Sequence, residues 1–172
     1  MLFEKNITIT GKHATYLKFL SAKTELLNKN AKVAGVFERN IDVFMIAPLF
    51  GLLYEMKASE DKSSDDKSNI LVEQLVKEKE KIDFVYRLIN LADKSEGLTS
   101  DEKIECVFRK SGNEQLFFDY LRGGLEYLYD FFSNNTATKI DYYEKMVELV
   151  NTFNDEFNDD ISYEEKLKNF NF

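Results

Sequence analysis

Cysteine, proline and histidine each occur once in the 172 residues, and tryptophan does not occur at all. One cysteine excludes an internal disulfide and any zinc site built on several thiolates. Cys106 lies in a helical pattern with Ile104, Val107 and Phe108, so a buried, inert thiol is expected. One histidine leaves neither a two-histidine metal site nor a well-founded Cys–His catalytic pair, since nothing in the spacing of His13 and Cys106 makes them meet. The residues Met-Leu-Phe-Glu-Lys lack the apolar core of a signal peptide. The longest apolar run, 43–54, is interrupted by Pro48 and Gly51 and is too short to span a bilayer. A cytoplasmic protein without a membrane segment is the resulting expectation. Glycine signatures are missing too. Gly11-Lys12 lacks the spacing of a P-loop, and Gly123-Gly124 follows a helical pattern rather than a strand, so it is no dinucleotide fingerprint.

What the chain does have is apolar bulk and a lopsided charge. Apolar residues make up 44%, with fifteen Phe and nine Tyr, which is globular composition despite the acidity. The length fits one domain. Residues 1–57 carry eight Lys/Arg against five Asp/Glu, whereas 58–172 carry fifteen against twenty-six. The net charge of −8 argues against wholesale nucleic-acid binding, because phosphate repulsion acts at long range. Binding by the local basic front, or imitation of nucleic acid by the acidic back, is compatible with it.

Hydrophobic spacing predicts an all-α bundle of about six helices in a single domain, 1–172. Residues 7–10 alternate β-branched and polar, as a short strand or extended lead-in. A helix follows from His13 through Leu27, with Thr10 as a candidate cap, and then a loop at 28–34. A second helix starts at Asn40 as N-cap and runs to about Lys57, kinked or split by Pro48. This segment is apolar almost all round, so it is expected at the centre of the core. Residues 58–68 contain no apolar side chain larger than alanine and read as a mobile acidic loop. Further helices are expected at 70–92, 99–110, 114–132 and 139–153, followed by an acidic tail at 154–172. Thr99 with Glu102 fits a capping box, and Ser100 is the alternative cap. Two adjacent glycines, Gly123 and Gly124, inside a helix cost on the order of 2 kcal/mol, which points to close helix approach or a bend.

No pattern names a reaction, and neither a catalytic residue, a cofactor nor a metal site is expected. The acidic runs 60–66 and 155–165 lack the residue order of an EF-hand. Lys12, Lys18, Lys23, Lys29, Lys32 and Arg39 could form a phosphate-tracking stripe, or simply a solvated helix face. The opening of the first helix, with Lys12 and His13, also fits a phosphate contact. Arg122, Tyr120 and Tyr127 are the candidate partner anchors, since Arg and Tyr suit interface centres. An ion pair of Arg122 with Glu126 at i+4 is the alternative. The aromatic helix 114–132 buries its surface within the fold or in a homodimer.

Residues 37–47, Phe-Glu-Arg-Asn-Ile-Asp-Val-Phe-Met-Ile-Ala, followed by Gly51, resemble a segment of small accessory proteins of bacterial DNA phosphorothioation (Dnd-type) defence systems. The resemblance covers about fifteen of the 172 residues. It implies an accessory role beside DNA-modifying or DNA-restricting enzymes in a prokaryotic antiviral system, and it carries over no catalytic residue. The sequence thus leads to a non-enzymatic binding or accessory protein, contacting a partner protein or nucleic acid. The alternative is an acidic nucleic-acid mimic that inhibits a nucleic-acid enzyme. A metal-dependent hydrolase using carboxylates is a third, weaker class.

Overall fold

The computed structural model describes residues 4–21, 36–94, 97, 99–109, 112–134 and 139–159. Strand β1 (Ile7–Thr10) passes directly into α1 (Gly11–Ser21), and the core helix α2 (Asn40–Leu53) comes next. Strand β2 (Lys67–Ile70) precedes α3 (Val72–Lys77) and α4 (Lys79–Ala92). Then follow α5 (Ser100–Arg109), α6 (Glu114–Ser133) and α7 (Lys139–Asp159). The mainly-α class holds: seven helices carry the described residues, and their one sheet is the β1–β2 pair.

The contact between α2 and α6 organises the core. Gly124 lies so close to α2 that a Cβ there would sit 1.7 Å from the Ala47 carbonyl oxygen. A Cβ on Gly51 would sit 2.1 Å from the Tyr120 carbonyl oxygen. Two backbones can approach this closely only where both surfaces lack side chains, so the expected close approach at the glycine pair is found. Around it, Ile41, Val43, Phe44 and Ala47 of α2 pack with Phe117, Leu121, Leu125 and Leu128 of α6, all buried. Leu17 and Leu20 of α1 and Ile82 and Ile89 of α4 complete the cluster.

Several sequence expectations need correction. Helix α2 runs unsplit through Pro48 and ends at Leu53 rather than Lys57. Arg39, not Asn40, holds the N-cap position, and the Asn40 side chain instead bonds Ser21 and Ser68. The expected helix 70–92 is really a strand and two helices. Residues Lys67–Ile70 pair antiparallel with β1, in the register Ile7↔Ile70 and Thr10↔Lys67. The Asn6 side chain then accepts from the Val72 N–H at the start of α3, and a break at Glu78 separates α3 from α4. Cys106 is half-buried rather than buried. Helix α7 extends past the expected 153 to Asp159.

The segment read as a mobile loop at 58–68 is fastened to the fold. The Ala58 N–H donates to the Asp119 carbonyl, and the Gly11 N–H donates to the Asp66 carbonyl at 2.9 Å. Thr10 donates to the Asp61 carbonyl instead of capping α1. That cap is Asp61 itself, whose carboxylate accepts from the Lys12 N–H at 2.6 Å. The bond from Lys12, helped by those from Ser63, holds the Asp61 carboxyl down at about 2. The capping box at Thr99 and Glu102 forms as expected: the Glu102 carboxylate accepts from the Thr99 N–H, and the Glu102 N–H donates to the Thr99 hydroxyl. Among the described residues, no helix is long and apolar enough to cross a membrane.

Candidate functional site

The expected basic stripe falls on residues whose charges are already matched. The Lys12 ammonium lies 2.8 Å from Glu126 of α6, and its bond to that carboxylate raises its pKa. Lys18 pairs with Asp66. Arg39 reaches Asp42 at 2.5 Å and Glu78 at 3.1 Å, and those bonds, Asp42's first, raise its pKa. Lys23, Lys29 and Lys32 lie outside the described residues. The helix N-terminus beside Lys12 offers no free seat for a phosphate, because Asp61 occupies it from within the chain.

His13 is only 1% exposed, and its Nε2 lies 2.9 Å from the Glu126 carboxylate. A carboxylate only accepts, so Nε2 carries the proton. Among the described residues its buried Nδ1 has no hydrogen-bond partner. Burial pushes the imidazole pKa below its ordinary value, against the opposing pull of Glu126. Burial also pushes the Glu126 carboxyl up, but its bonds to Lys12 and His13 outweigh this and hold it low. Lys12, His13 and Glu126 therefore lock α1 to α6.

The expected partner anchors are likewise drawn inward. The Tyr120 side chain is buried, with its hydroxyl donating to Asp93 at 2.5 Å. Burial and then that carboxylate raise its pKa. Arg122 pairs with Asp119 at 3.0 Å, three residues back, rather than with Glu126, and its guanidinium lies 5.8 Å from the Phe118 ring centre. Tyr127 stacks on Tyr54 at 4.3 Å and on Phe50 at 5.7 Å.

Tyr120 leads instead to a feature that sequence reasoning missed. A cleft of about 830 Å³ opens where the C-terminal ends of α2 and α4 meet α6 and α7. Leu49, Leu52, Leu53, Leu88, Ala92 and Phe153 form its apolar lining, while Glu55, Lys57, Asp93, Lys94 and Tyr120 supply its polar one. Asp93 follows the last residue of α4, and its side chain is 2% exposed. The Lys57 ammonium meets the same carboxylate oxygen as Tyr120, at 2.9 Å, and lies 4.7 Å from the Tyr120 ring centre. Lys103 of α5 donates to the Asp93 carbonyl, so three other segments converge on this residue.

The cleft joins two patches of exposed apolar surface. Leu88 belongs both to its lining and to a patch made with Phe84 of α4 and Ile104 and Phe108 of α5. Phe84 is 66% and Phe108 59% exposed. Arg87 ties the two helices there, its guanidinium 5.1 Å from the Phe108 ring centre. On the other side, Phe153 belongs both to the cleft and to α7, whose Tyr143, Val147 and Val150 are also exposed. These exposed apolar side chains of α5, α4 and α7, with the cleft that Leu88 and Phe153 help to line, form the candidate seam from α5 to α7. The sequence signal was present in the pairs Phe84/Leu88 and Ile104/Phe108 at i, i+4, which place apolar side chains beside one another on their helix faces.

Residues 37–51 build none of this surface apart from Leu49, at the cleft wall. Ile41, Val43, Phe44, Ala47 and Gly51 are buried, and their pattern is that of a core helix. Compared with protein-family models, curated proteins and solved structures, the chain matches none.

Proposed function

We propose that the chain is a non-enzymatic binding protein that recognises another protein through the seam from α5 to α7. The observation that carries this reading is the sharing of Leu88 and Phe153 between an apolar cleft and two exposed apolar patches. Scattered exposed apolar residues need no explanation, but a contiguous patch is a docking surface or an aggregation hazard. A pocket at its centre gives a partner's apolar side chain a desolvated seat, as interface hot spots require. The net charge of −8 steers basic partners towards it. The basic groove of a nucleic-acid enzyme is one such partner, and inhibition by an acidic mimic is a special case of this reading.

Nucleic-acid binding through Lys12, Lys18 and Arg39 is the less supported reading, because each of these side chains would first have to leave a carboxylate. The same experiment tests both. Immobilised wild type, Leu88→Asp and the Lys12→Glu/Lys18→Glu double variant are compared for partner capture from lysate of the producing cells. Each is also titrated with DNA at low salt. Capture lost in Leu88→Asp and kept in the lysine variant supports the protein-binding reading. Capture unaffected by Leu88→Asp, with DNA affinity that vanishes in the lysine variant, overturns it.

A further inference from the structure

Helix α7 carries two apolar stripes. Tyr142, Met146 and Leu149 pack against the core. Tyr143, Val147 and Val150 lie about 100° further round and are 65%, 58% and 51% exposed. Their i, i+4, i+7 spacing forms a ridge of two helical turns. The open face that includes this ridge is lined from α7 alone; its charged residues are Glu144, Glu148 and Asp155, with no lysine or arginine. Lys145, beside Glu144 in sequence, is turned towards α6, its ammonium 4.5 Å from the Phe131 ring centre and 3.9 Å from Glu148.

We propose that this face docks a basic amphipathic helix of a partner protein, apolar side chains against Tyr143, Val147 and Val150 and Lys or Arg against the three carboxylates. The inference rests on the protein-binding reading and adds the chemistry of the partner. Charge decides the occupant. A second copy of this chain would bring two sets of Glu144, Glu148 and Asp155 to one contact, so that like charges oppose each other along its length. A basic helix instead pairs every carboxylate while covering the ridge. A helical occupant also matches the spacing, since ridges three and four residues apart fit the grooves of another helix.

The test uses the full chain and two synthetic peptides of about 20 residues, long enough to hold helical structure on binding. Both carry Leu at i, i+3, i+4 and i+7, one with Lys and the other with Glu at the remaining positions. Fluorescence anisotropy of the labelled peptides gives the affinity, and sedimentation gives the mass of the chain. The Lys peptide is expected to bind, more weakly in high salt, and to lose affinity about tenfold or more in both Val147→Asn and Glu144→Lys/Glu148→Lys. Val76→Ser, an exposed position on α3 outside the seam, is expected to leave the affinity unchanged. Equal binding of the Glu peptide, or affinity untouched by the α7 variants, overturns the inference. So does a dimer that Val147→Asn makes monomeric, because a second copy then covers the ridge. If Lys-peptide binding fails while Leu88→Asp still abolishes partner capture, the partner's chemistry is wrong and the protein-binding reading stands. If Leu88→Asp changes nothing, that reading fails on its own account.

Discussion

Replacing Gly124 by alanine adds one methyl group at the tightest point of the core. In an open helix the change is favourable by about 1 kcal/mol, since alanine loses less conformational freedom on folding. Here the new Cβ would stand 1.7 Å from the Ala47 carbonyl oxygen and 3.0 Å from the Gly51 amide nitrogen. A carbon–oxygen contact needs roughly 3.3 Å, so α2 and α6 must part by about 1.5 Å. Both atoms in conflict with it belong to helix backbone, so no side chain can swing away. Parting the helices also loosens Phe44 from Phe117, whose rings now lie 5.5 Å apart, and a gap below 1 Å already forfeits a quarter to a half of each dispersion contact. Overpacking of this kind costs about 3 kcal/mol, and subtracting the helix gain leaves a net loss of about 2 kcal/mol. Urea unfolding followed by circular dichroism reads this as a lower midpoint at constant slope, and thermal unfolding as a Tm lower by about 4–8 °C. An unchanged or raised midpoint would refute the argument that the glycine pair exists for the crossing.

Two further perturbations test the polar contacts. Lys57→Met takes from the buried Asp93 carboxylate the ammonium that neutralises it and is expected to cost about 3 kcal/mol, whereas Tyr120→Phe removes one uncharged donor to that carboxylate and costs about 2 kcal/mol. Urea midpoints check the order, and a larger loss in Tyr120→Phe would contradict it. For His13, burial depresses the folded pKa below the ordinary 6.5, so the unfolded chain takes up the proton first as pH falls. The stability associated with the neutral ring is thus complete above 6.5 and is lost as pH falls from there through the folded pKa. His13→Gln keeps a donor for Glu126 without titrating, and should flatten the difference in midpoint between pH 7.5 and 5.5; an equal difference in both proteins would count against a buried neutral imidazole.

Local chemistry was legible in the sequence, and long-range pairing was not. The box at Thr99 and Glu102 spans four residues and needs no knowledge of the rest of the fold. Gly123-Gly124 was readable because a helix tolerates that cost only where something approaches. Strand β2 was hidden: its inward positions are Ser68 and Ile70 alone, and its partner β1 lies some sixty residues away. The break at Glu78 was hidden too, as Leu75, Ile82, Val85 and Ile89 keep a helical rhythm across it. What Glu78 gains there is tertiary, a bidentate contact from Arg39 at 3.1 Å beside the bond from Lys81. Tyr120 was misjudged as a surface anchor for the same reason. A tyrosine suits an interface or a core equally, and the choice was made by Asp93, 27 residues away in sequence.

The charge split between the two parts of the chain acquires its meaning from these pairings. Lys12 meets Glu126, Lys18 meets Asp66, Arg39 meets Glu78 and Lys57 meets Asp93; every pair joins the basic front to the acidic back. Apart from Lys57–Asp93, whose carboxylate is buried, these partly exposed ion pairs contribute little to stability singly, so the split as a whole is not what holds the fold together. Its consequence lies in what remains unmatched. Four cations of the front are consumed inside the molecule, while Glu144 and Asp155 face solvent beside the exposed ridge of α7. An approaching polyanion meets a body of charge −8 in which Lys12, Lys18, Arg39 and Lys57 of the front are already engaged. A basic protein meets the same field as attraction, and finds exposed apolar surface beside the carboxylates of α7.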